Sequence, residues 1–110
     1  MTIETCLELA DGMLPNRVPR GVKLRFLGEI EGKVRVELLG EEPPAQPLFR
    51  EDTPADTALS VPQPYDQLYW QYLLAMLSHT LGDTARFENA ASLFNASYQS
   101  YGKWLKRRGA

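Results

Sequence analysis

The chain has 110 residues, a formal net charge of -2 and 44% apolar residues, which is room for one domain with a modest core and excludes two. This balance excludes a partner recruited by overall charge, such as bulk nucleic acid or acidic lipid. A single cysteine, Cys6, excludes an internal disulfide, and no CxxC or Cys/His spacing offers a metal site.

The first predicted element is a short helix. Thr2 is placed to cap it, Ile3, Cys6, Leu7 and Ala10 fall on one side, and Gly12 with Pro15 closes it. Cys6 reads as a small apolar packing residue. No basic run followed by an apolar stretch opens the chain, and no segment approaches the roughly 18 apolar residues of a bilayer span, so a cytoplasmic protein without membrane contact is expected.

The stretch VKLRFLGEIEGKVRVELLG admits two readings. Val22, Leu24 and Phe26 alternate with charged residues, as do Val34, Val36 and Leu38, and Gly28 and Gly32 bracket a turn, so local rules favour a β-hairpin over 22–39. A helix also fits, because Leu27, Ile30, Val34 and Leu38 recur every three or four residues, at about 1 kcal/mol for each interior glycine.

Residues 41–63 contain Pro43, Pro44, Pro47, Pro54 and Pro62 and are expected to form a long loop. Leu48, Phe49 and Leu59 are the residues able to pin it to the body. The loop reads either as a solvated linker or as an arm that orders on a partner.

After Pro64, YDQLYWQYLLAMLSHTLGD predicts a third helix ended by Gly82, with Asp83 capping the next. Leu68, Tyr69, Tyr72, Leu73 and Met76 lie on one side, and Trp70, Leu74, Leu77 and Leu81 on another, the pattern of a central or interface helix. In the fourth helix Phe87, Ala91, Phe94, Tyr98, Tyr101 and Leu105 step by alternating fours and threes, which makes the rings a packing seam. The short link between these two helices predicts an antiparallel hairpin carrying most of the stability.

His79 lacks a marked nucleophile or orienting carboxylate, and there is no GxGxxG or Walker loop, so neither catalysis nor a cofactor is expected. Lys103, Lys106, Arg107 and Arg108 suit the negative end of a helix, a neighbouring protein or phosphate. Trp70 and Trp104 read as core residues or interface anchors.

The run VPQPYDQLYWQYLLAMLSHTLGDTARFENAASLFNASYQSYGKW, residues 61–104, resembles the small head-tail connector, or adaptor, proteins of tailed phages and prophages. The likeness is carried by Pro64, Tyr65, Asp66, Leu68 and Tyr69, then by Asn89, Leu93, Phe94, Asn95, Ala96 and Tyr98. It implies an all-α fold of about four helices, with residues 20–39 helical. It further implies a structural protein that forms a ring of about a dozen copies on the portal vertex of the capsid. Its partners would be its own copies, the portal protein and the next neck or tail component, with DNA passing along the axis and open to non-specific contact. Its place would be the head-tail junction of the virion, after synthesis in the host cytoplasm. Phe49, Trp70, Leu74, Lys103, Trp104, Lys106, Arg107 and Arg108 are the candidate interface residues. The competing reading is a small DNA-binding packaging or regulatory factor that uses the basic C-terminus.

Overall fold

A computed structural model describes residues 1–109. The protein is mostly helical: α1 (Ile3–Met13), α2 (Arg20–Lys33), a π-helical turn (Val34–Leu38) continuing from it, α3 (Gln67–Thr80) and α4 (Thr84–Gly109). No strand occurs among the described residues, and one isolated antiparallel bridge joins Thr2 to Ala58.

The Thr2 hydroxyl starts α1 by accepting from the Thr5 backbone N–H at 3.2 Å, which satisfies one of the free donors of a helix start. Ile3, Cys6, Leu7 and Ala10 are buried beneath it. Past the helix, Asn16 donates to the Leu14 carbonyl and accepts from the Val18 N–H, holding the turn toward Pro19 and α2.

Residues 20–38 are helical, as the resemblance implies, and the β-hairpin that local alternation favours over 22–39 does not form. Leu24, Leu27, Ile30 and Val34 are essentially inaccessible, whereas Val22 lies exposed. The three-to-four spacing therefore wins because its stripe has a core to enter, while a two-stranded ribbon would leave half of these residues wet. The two glycines make close approach possible instead of a turn. A Cβ on Gly28 would stand 3.4 Å from the Phe49 backbone nitrogen, and one on Gly32 3.7 Å from a Leu48 methyl.

Between the π-turn and α3 the chain forms neither helix nor strand, yet it is firmly attached. It runs back along α2, with Phe49 buried over Gly28 and the Glu51 carboxylate beside Gly21. It then meets the start of α1. The carbonyls of Ala55 and Thr57 accept from the N–H groups of Glu4 and Ile3, both at 3.0 Å, and Leu59 donates to the Met1 carbonyl at 2.9 Å. Loop carbonyls thus complete donors that α1 itself leaves unpaired. Leu59 and Val61 are buried as the segment passes under the helices.

α3 is the central element, buried on several faces by α1, α2 and α4. Gly82, with φ +76°, reverses the chain after it, and the Asp83 N–H donates to the Ser78 carbonyl at 2.9 Å. The Asp83 carboxylate then accepts from the Arg86 N–H at 3.1 Å and opens α4. Rings pair in opposite order along α4: His79 and Tyr72 of α3 with Phe87 and Phe94, and Tyr65, in the turn before α3, with Tyr101, at centroid distances of 5.4, 5.2 and 5.5 Å.

Candidate interaction surface

Of the residues proposed from sequence, the structure brings five together at the far end of α4. Lys103, Lys106, Arg107 and Arg108 are exposed there, and Trp104 is half-buried. Trp104 is held on two sides by rings, Tyr101 at 5.9 Å in a stacked arrangement and Tyr65 at 5.5 Å, while the Arg108 guanidinium lies over its face at 5.1 Å. None of the four cations pairs with a carboxylate among the described residues, although most other cations of the chain do.

The remaining candidates lie elsewhere. Phe49 is 6% exposed and belongs to the core, so it cannot serve as a surface anchor. Its packing over Gly28 is what holds the loop to α2. Trp70 and Leu74 are half-buried one turn apart on the side of α3 turned away from Tyr65 and Tyr72, the rings that meet α4. His79 is exposed, with its ring against Phe87.

A groove of about 450 Å³ runs beside the basic end. Leu38, Gly102 and Leu105 form its floor, with Glu37, Tyr98, Lys103 and Lys106 around it. The π-turn creates it: the Leu39 N–H reaches back five residues to the Val34 carbonyl at 3.1 Å, and Leu38 comes to lie over Gly102. The Tyr98 hydroxyl donates to Glu37 at 2.6 Å. Burial first, then this bond, push the Tyr98 phenol above its usual range. A second groove, of about 520 Å³, lies between α2 and residues 44–49. Its charges are mutually neutralised, Arg25 by Glu29 at 3.8 Å and Lys33 by Glu37 at 3.6 Å.

Sequence reasoning missed the one fully buried carboxylate among the described residues. Glu31 lies on the apolar stripe of α2 at 0% exposure. One of its oxygens accepts from the Ser60 N–H at 3.0 Å, the Ser60 hydroxyl at 2.9 Å and Arg35 at 3.2 Å. The other accepts from the Tyr69 hydroxyl at 2.7 Å, and that hydroxyl in turn accepts from the Val61 N–H at 3.0 Å. Burial, followed by the bond to Glu31, raises the Tyr69 phenol. A carboxylate so fully supplied with donors is a structural tie between loop, α2 and α3. Its signal in the sequence is an acid between Ile30 and Val34 with Arg35 one turn on.

Among the described residues no cluster of three or more metal-ligating side chains occurs, and no helix is long and apolar enough to cross a membrane. A scan of protein-family models and searches of curated proteins and solved structures gave no match to this chain.

Proposed function

We propose that the chain is a structural component of a phage particle, a connector that assembles as a ring on the portal vertex and joins capsid to tail. The observation that carries this reading is the division of labour among the residues of the connector-like run. Tyr65, Leu68, Tyr69, Phe94 and Tyr98 pack inward, whereas Asn89, Leu93, Asn95 and Ala96 are exposed on α4. Core packing accounts for the first group and not for the second. The exposed residues share a broad outer face that leads to Lys103 and Arg107, and Leu93 stands 48% exposed within it. A wet helix face containing an uncovered leucine, amides and small residues, ended by unpaired cations, suits protein contact better than solvent alone.

In this reading α3 and α4 form an antiparallel hairpin that acts as the rigid body of each subunit, and the loop is packed on α1 and α2 before assembly. The ring is a heterologous, closing arrangement in which each copy presents two different surfaces to its neighbours. The test is to mix the purified protein with portal particles of the encoding phage and examine them by electron microscopy. An added ring of density supports the reading, and bare portals at saturating protein overturn it.

The unpaired cations favour one second reading, a small DNA-binding packaging or regulatory factor. It requires DNA affinity that falls steeply with salt and is lost when Lys103, Lys106, Arg107 and Arg108 are neutralised together.

A further inference from the structure

Among the described residues Glu8, Arg17, Glu41, Glu42, Arg50 and Glu88 stand outside any ion pair, and the other unpaired charges gather, several of one sign together, at two places. At the end of α4 the four cations are free of carboxylate partners among the described residues, and in the turn of residues 51–56 Glu51, Asp52 and Asp56 are likewise outside any ion pair. The two places lie at opposite ends of one rod. Glu51 stands beside Gly21 at the start of α2, and Leu38, at the end of the π-turn, touches Gly102 next to the cations. The helical run from Arg20 to Leu38, on the order of 25 Å long, lies between Glu51 and the basic end, and no ion pair joins the two places among the described residues. Glu41 and Glu42 follow the π-turn in sequence and are exposed.

The acidic turn is built to be presented. The Thr53 N–H donates to the Arg50 carbonyl and the Arg50 N–H to the Thr53 hydroxyl, while Thr57 closes a second turn on the Pro54 carbonyl through both its N–H and its hydroxyl. The bonds from Ala55 and Thr57 to α1 fix its base. Pro54 and Ala55 are exposed and apolar, with the exposed Asp52 and Asp56 on either side of them in sequence. The groove beside the cations has an apolar floor of Leu38 and Leu105 with Lys103 and Lys106 at its edge, and its carboxylate, Glu37, is already engaged by Lys33 and the Tyr98 hydroxyl.

We propose that the turn of residues 51–56 of one copy seats in the α4 groove of the next, with Asp52 and Asp56 facing Lys103 and Lys106. The contact deepens the connector reading and rests on it for its assembly. It joins two different surfaces, so it repeats from copy to copy and closes only if the rotation permits. Electrostatic complementarity sets partner and register here, and salt weakens it.

The experiment uses full-length Asp52→Cys and Lys106→Cys variants, one carrying a mass tag, mixed at low salt under mild oxidation. Cys6 is buried and stays silent, with wild type as the control. The mixed pair should cross-link roughly five-fold more than either variant with itself and fall to the same background at high salt. Equal yields for all pairs overturn the contact. Ring decoration of portals by wild type without selective cross-linking removes this contact and leaves the connector reading standing. Selective cross-linking with bare portals does the reverse. DNA retention without selective cross-linking assigns the cations to nucleic acid and overturns the contact.

Discussion

Tyr69 and Glu31, 38 residues apart in sequence, meet in the interior at 2.7 Å, and through them α3, α2 and the loop at Ser60 and Val61 become one unit. Removing the acceptor leaves several buried donors without a partner. Glu31→Ala should therefore cost about 3 kcal/mol, and Tyr69→Phe about 1–2 kcal/mol, in urea unfolding. A loss below about 0.5 kcal/mol for Glu31→Ala would show that the network is not what fastens the loop.

Alkaline pH should unfold the protein in a particular way. Burial pushes the Cys6 thiol up to about 12 and raises the Tyr69 and Tyr98 phenols above their ordinary value. The folded state therefore retains protons that the unfolded chain releases. This contribution is whole below about pH 7.5, shrinks through the ordinary cysteine and tyrosine values of about 8.5 and 10, and is lost as pH rises through the raised ones. Melting temperature should fall from about pH 8 upward, most steeply above about pH 10. The fall should be shallower in Tyr98→Phe, and an identical slope would contradict the role of the Glu37 bond.

Two glycines should respond oppositely to alanine. Gly12 lies within α1 with nothing within 4 Å of a Cβ, so Gly12→Ala should stabilise by about 0.5–1 kcal/mol. Gly82 holds φ +76° at the reversal between α3 and α4, and Gly82→Ala should destabilise by about 1–2 kcal/mol. Thermal unfolding of the two variants distinguishes these signs directly.

The Ser78 hydroxyl is buried without a hydrogen-bond partner among the described residues. Ser78→Ala should be neutral or stabilising by up to about 1 kcal/mol, because it removes a polar group that folding strips of water. A clear loss of stability in chemical denaturation would reveal a bond made by that oxygen.

Local rules reached the helices whose signals lie within a few residues. The Thr2 cap, the Asp83 cap, the Gly82 reversal and the ring stripe of α4 are all readable from neighbours in the chain, and each acts over one or two turns. The same rules favoured a hairpin over residues 22–39, because alternation of Val22, Leu24 and Phe26 is as regular locally as the helical stripe. Nothing near Gly28 in sequence indicates that Phe49 will press against it. From the sequence Phe49 reads equally as a pin for the loop or as an interface residue, and only the structure shows its seat, 21 positions earlier at Gly28.

The candidate surface divides in the same way. That four cations stand at the end of a helix is a property of the chain order alone, as is the apolar seam that turns them away from the core. That they have no carboxylate partner among the described residues, that a π-turn opens a groove beside them, and that Glu31 is buried were decided by tertiary packing. The physical reason is range. Caps, periodicity and turn residues act through the backbone over a few positions, whereas burial and ion pairing depend on which distant segments share the same few ångströms of space.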